Sequence, residues 1–81
     1  MSIVVIPAYN PDEKLIKTIQ EIKAFKITEI IVVNDGSTKK SEIIFEKIKN
    51  EVTILTHTKN TGKGVAIKTA LKYIKQNNIK D

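Results

Sequence analysis

Three short runs of aliphatic, mostly β-branched residues set the tightest limit on what this chain can become. Ile3-Val4-Val5-Ile6, ended by Pro7, is the first, and Ile30-Ile31-Val32-Val33, ended by Asn34-Asp35-Gly36-Ser37, is the second. The third, Val52 to Thr58, is more mixed and ends in Lys59-Asn60-Thr61-Gly62. A run that is apolar at every position has no face to give to water. It suits a parallel strand covered by helices on both sides.

Helical spacing fills the intervals between these runs. Leu15, Ile19 and Ile22, with Ile16 beside them, form one stripe. Ile44, Phe45 and Ile48 form a second, and Ile67, Ala70, Leu71 and Ile74 a third. Asn10-Pro11-Asp12-Glu13 reads as a helix start, with Asn10 as the cap, Pro11 in the first helical position and Glu13 placed to reach back. Ser37 or Thr38 is placed to cap the second helix, and the third begins near Gly62 to Gly64. The order is β-α-β-α-β-α. Right-handed crossovers then give an α/β, three-layer, Rossmann-like fold whose three-stranded parallel sheet has the order 3-2-1. The 81 residues allow a single domain over 1–81, without linkers.

Composition narrows the function classes. There is no cysteine, which excludes a disulfide framework, a thiolate nucleophile and a thiolate metal site, and a single histidine argues against a protein zinc site. No apolar run reaches the roughly 18 residues of a membrane-spanning helix, and no signal segment opens the chain, so the expected location is cytoplasmic. The net charge is +5 and every basic residue is a lysine. Residues 1–35 hold four lysines against five acids, and residues 36–81 hold ten against four. Without arginine there is no forked group to read guanine edges. The four aromatics, Tyr9, Phe25, Phe45 and Tyr73, are too few for a base-stacking platform, so nucleic acid is not an expected partner. The lysine surplus reads as a solvated helix surface.

Ligands of open α/β sheets bind beyond the carboxyl ends of the strands. Here those ends carry Pro7-Ala8-Tyr9-Asn10, Asn34-Asp35-Gly36-Ser37-Thr38 and Asn60-Thr61-Gly62-Lys63-Gly64. Together they offer a flat ring, a carboxylate, two glycine-containing helix starts and a lysine. That inventory suits a nucleoside diphosphate: the ring stacks a base, the carboxylate accepts from a base N–H, and helix N-termini with lysine receive phosphate oxygens. Each piece alone has a plainer explanation, as core closure for Tyr9, a turn or cap for Asp35-Gly36-Ser37, and surface charge for Lys63. His57 ends its strand with no acidic or cysteine neighbour close in sequence and reads as structural or incidental. Gly62-Lys63-Gly64 lacks the Ser or Thr and the upstream glycine of a Walker phosphate loop.

Val4-Val5-Ile6-Pro7-Ala8-Tyr9-Asn10, Ile31-Val32-Val33-Asn34-Asp35-Gly36-Ser37-Thr38 and Asn60-Thr61-Gly62-Lys63-Gly64, in that order, resemble the opening motifs of family 2 glycosyltransferases of the GT-A fold. The last motif is most similar to the branch that glycosylates polyprenyl (dolichyl-type) phosphates. The resemblance implies a UDP-sugar or UDP as ligand, with Tyr9 against the uracil, Asp35 bonded to the base, and backbone near Pro7 and Ala8 along the nucleoside. It also implies residues around Gly62 and Lys63 near the donor and counts Gly36 with the nucleotide-binding residues, while Asn34 stands where many members have another acid. The family continues into a strand ending in Asp-x-Asp, whose carboxylates hold Mg²⁺ or Mn²⁺, and into a later general base. No Asp-x-Asp occurs in these 81 residues. The expectation is therefore a truncated GT-A domain that binds a sugar nucleotide, holds no cofactor in this chain and is inactive alone. The alternatives are an interaction module with idle motifs and an enzyme completed by a partner chain. With no strand beyond the first, Ile3 to Ile6 would form an apolar sheet edge, and a homo-oligomer paired along it is expected.

Overall fold

Residues 3–25 and 29–79 are described by a computed structural model; residues 1, 2, 80 and 81, the expected ends of the domain, lie outside them. The second apolar run becomes the central strand, β2 (Glu29–Asp35). β1 (Ile3–Ala8) pairs with it on one side and β3 (Thr53–His57) on the other, all parallel, which is the 3-2-1 order expected from the sequence. The register sets Ala8 beside Asn34 and Asp35 beside His57, so the three carboxyl ends finish on one rim.

β2 is buried on both faces because its side chains alternate between two apolar layers. Ile30 and Val32 join Leu15 and Ile19 of α1 (Glu13–Ile22) and Ile44, Phe45 and Ile48 of α2 (Glu42–Ile48). Ile31 and Val33 meet Ala66 and Ala70 of α3 (Lys63–Gln76), flanked by Tyr73 and Ile74. Ile19, Ile31, Val32, Val33 and Ile48 are fully buried. An α/β sandwich of three layers results. At the far end from the rim, Lys23 meets Glu51 at 2.6 Å and Gln20 donates to the same carboxylate, tying α1 to the turn before β3. The Lys23 contact, then that of Gln20, holds the Glu51 carboxyl below the usual carboxylate range. Both partners are solvent-exposed, so the pair adds little stability.

Local details depart from the sequence reading, each for a physical reason. β1 continues through Pro7 to Ala8, which an edge strand tolerates because the missing N–H need not serve a second neighbour. Asp12, not Asn10, caps α1, accepting from the Lys14 amide at 2.9 Å. Asn10 instead takes a left-handed conformation (φ 49°) and turns its side chain to the neighbouring loop. Neither Ser37 nor Thr38 caps α2. A 3₁₀ turn, Lys39–Ser41, intervenes, and the buried Ser41 hydroxyl donates to the Pro11 carbonyl. On α3 the buried stripe runs through Ala66 and Ala70, while Leu71 stays 58 % exposed. Two alanines let that helix lie close against Ile31 and Val33.

Among the described residues no strand covers the outer edge of β1, and Ile3 to Ile6 are only half-buried. The other edge, β3, is shorter and carries Thr53 and Thr56. An apolar edge with free N–H and C=O groups is a template for pairing. We propose that the isolated 81-residue chain self-associates along β1. Light scattering at micromolar concentration is expected to give a dimer or larger species, and a stable monomer would contradict it.

Candidate functional site

The chain leaves β1 toward α1 on one face of the sheet and leaves β3 toward α3 on the other. Helices departing to opposite faces open a crevice at the strand ends between them, the place where α/β sheets bind ligands. A cavity of about 370 Å³ lies there, lined by Pro7, Ala8, Tyr9, Asp35, Asn60, Gly62 and Lys63. Of the residues singled out in the sequence, Pro7, Ala8, Tyr9, Asp35 and Lys63 are thus brought together. Gly36 is not among the lining residues.

Asp35 is 4 % exposed and heavily bonded. Its Oδ1 accepts from the Thr61 amide (2.9 Å), the Thr61 hydroxyl (2.7 Å) and His57 Nδ1 (2.8 Å), and its Oδ2 accepts from the Gly62 amide (2.8 Å). The His57 contact first, then the Thr61 hydroxyl, outweigh desolvation and, with the Thr61 and Gly62 amides, hold the carboxyl far below the usual carboxylate range. The carboxylate therefore pins the residues that open α3, whose leading amides have no helical partner of their own. Gly36 serves the same junction by close approach. Its φ is +71°, and a Cβ there would sit 2.2 Å from the Lys59 carbonyl carbon and 2.3 Å from the Asn60 nitrogen.

The facing loops are braced as firmly. The Asn10 amide donates to Ser37 Oγ at 2.9 Å, while Asn10 Oδ1 accepts from the Thr38 amide at 2.8 Å. Asn34 Oδ1 accepts from the Ser37 amide at 3.0 Å, a turn-stabilising role open equally to an acid. On this frame Tyr9 stands 54 % exposed, and Lys63, the first residue of α3, has no ion-pair partner among the described residues. The cavity thus presents a free aromatic face, small apolar backbone positions, one carboxylate oxygen with spare capacity, an amide side chain and a cation. Such a set can hold a flat heterocycle carrying an N–H donor together with an anionic group.

The divalent cation implied by the resemblance does not fit these residues. Asp35 is the one carboxylate lining the cavity, and a lone carboxylate that already accepts four hydrogen bonds does not supply the several oxygen ligands such an ion takes. Among the described residues no group of three His, Asp or Glu side chains could hold an ion, and no helix is long and apolar enough to cross a membrane. The sequence reading missed the parts played by His57, Thr61 and Thr69. His57 stands in register beside Asp35 on adjacent parallel strands, a relation that appears only when the two strands are paired. With that pairing known, an acid and a histidine at level strand ends would have been the signal.

A family model described as glycosyl transferase family 2 matches residues 3–79. The chain is 31 % identical over 75 residues to an uncharacterised protein of Methanocaldococcus jannaschii, covering 88 % of this chain and 32 % of that protein. It is 35 % identical over 69 residues to a second uncharacterised protein of the same organism, covering 85 % of this chain and 28 % of the other. It is 33 % identical over 73 residues to the uncharacterised glycosyltransferase YaiP of Escherichia coli, covering 85 % of this chain and 18 % of YaiP. The chain spans about a third or less of the length of these curated relatives. No solved structure matches it at the same stringency.

Two outcomes follow from the Asp35 junction. Gly36→Ala puts a Cβ into the Lys59–Asn60 backbone at a positive φ, and a loss of about 1–3 kcal/mol is expected in urea unfolding. Because the folded-state carboxyl of Asp35 sits below its unfolded value, its stabilisation is present above about pH 4 and drains away as pH falls further. Thermal melts of the wild type should therefore drop more steeply between about pH 4 and pH 2 than those of Asp35→Asn.

Proposed function

Because this chain belongs to glycosyl transferase family 2, we propose that its strand-end cavity binds the nucleotide of a sugar-nucleotide donor, a UDP-sugar or UDP. The observation that carries the reading is the convergence of Tyr9, Asp35 and Lys63 on one crevice from three separate strand ends. Tyr9 stacks on the base. Asp35 Oδ2, with one bond made, accepts a ring N–H. Pro7 and Ala8 leave room for the nucleoside to approach the backbone, and Lys63 at the start of α3 attracts the anionic part of the donor.

The same residues bind and orient a donor without completing its chemistry. Transfer needs charge neutralisation on the leaving diphosphate and a base for the acceptor hydroxyl, and the cavity lining supplies neither a carboxylate cluster nor a free base. We assign to these 81 residues the donor-binding part of the reaction, with acceptor binding and sugar transfer requiring groups beyond them. The Asn60-Thr61-Gly62-Lys63-Gly64 motif supports a polyprenyl-phosphate acceptor for the transferase to which such a part belongs.

Calorimetry with UDP tests this reading. Saturable binding is expected, unaltered by Mn²⁺ and without release of sugar from a UDP-sugar. Tyr9→Ala should weaken binding about tenfold, the worth of one base–aromatic stack, with an unchanged melting temperature because the ring is exposed. Absence of UDP binding, or sugar release by the chain alone, would overturn the proposal.

A further inference from the structure

His57 bridges the two elements that carry the cavity. Nδ1 lies 2.8 Å from Asp35 Oδ1 at the end of β2, and Nε2 lies 2.7 Å from Thr69 Oγ1 on α3. A carboxylate only accepts, so Nδ1 carries the hydrogen in this contact. The same Nδ1 is 3.0 Å from the Thr61 hydroxyl, which itself donates to Oδ1. Thr69 in turn contacts the Val65 carbonyl at 3.1 Å, one turn back on its own helix, so the ring is anchored to the body of α3. Oδ1 thereby receives three hydrogen bonds and Oδ2 a single one. The ring is half-buried and absent from the cavity lining.

We infer that His57, anchored by Thr69, is a positioning residue that saturates Oδ1 of Asp35 and so leaves Oδ2 as the single acceptor offered to a ligand. This inference rests on the nucleotide reading of the cavity. An acceptor fixed in this way favours a base with a ring N–H, such as uracil, over cytosine, whose corresponding nitrogen carries no hydrogen. When the site cannot turn its polar group, the wrong base leaves a buried carboxylate oxygen unpaired. Loss of the histidine leaves Oδ1 with only its two Thr61 donors and an open acceptor position, so the carboxylate no longer offers a single defined acceptor and the selection between the two bases fades.

Two substitutions separate orientation from mere packing. In His57→Asn the side-chain amide takes the place of Nδ1 and donates to Asp35. In His57→Gln it takes the place of Nε2 and reaches Thr69 instead. Calorimetry with UDP and CDP is expected to show a wild-type preference for UDP. His57→Ala and His57→Gln should cut UDP affinity about tenfold and bring the preference toward unity, and His57→Asn should restore it. Equal losses for both nucleotides in every variant, or a preference that survives in His57→Ala, would overturn the inference. A ligand-free reading comes from nitrogen NMR of the wild type, where the single histidine gives unambiguous ring signals. A hydrogen on Nδ1 is expected, and a ring bearing its hydrogen on Nε2 alone would also overturn it. A wild type that binds neither nucleotide overturns the nucleotide reading instead, and the ring signals then still decide whether His57 holds Asp35.

Discussion

One carboxylate joins the sheet to the helix that borders the cavity. Asp35 stands at the end of the central strand and collects the Thr61 amide and hydroxyl, the Gly62 amide and the His57 ring. Burying an ion is unfavourable unless donors replace its water, and here they do. The donors come from β3, the following loop and the start of α3, so satisfying the charge also fixes where that loop and helix sit. Remove the charge and three segments lose their common anchor. The left-handed Gly36, pressed against the Lys59–Asn60 backbone, belongs to the same junction.

The position of this junction follows from topology. Two consecutive crossovers place α1 and α2 on one face of the sheet, and α3 lies on the other. The rim beyond β1 and β2 is therefore open between diverging segments. The hydrogen bonds among Asn10, Ser37 and Thr38 hold the first two rim loops together, as Asp35 holds the second and third. With the scaffold bonds made among the loops themselves, Tyr9 and Lys63 have no hydrogen-bond or ion-pair partner among the described residues and can turn to a ligand. That division between holding groups and presenting groups suits the crevice to a ligand.

Much of this was legible in the chain itself. Continuous β-branched runs and alternating helical stripes gave the layers, because burial on two faces and burial on one face leave different periodicities. The rim residues were legible too, since parallel strands must end on a common side. What escaped was contact across the sheet. Asn10 has the chemistry of a helix cap, yet it spends that chemistry on Thr38 from the next loop, and Asp12 caps in its place. Leu71 fits a helical stripe as well as Ala66 does, and close approach to the sheet chose the smaller side chain. His57 read as structural or incidental, and its specific part was hidden because its partner lies 22 residues earlier in the chain. The turn at Gly36 was legible, but its close approach to the Lys59–Asn60 backbone was not.

On the proposed function, this braced crevice receives a nucleotide. Amide chemical-shift mapping of the 81-residue chain during a UDP titration tests it most directly. Saturating shifts confined to Ala8, Tyr9, Asp35, Asn60, Gly62 and Lys63 are the predicted result. Shifts centred elsewhere, or none at saturating nucleotide, would contradict it.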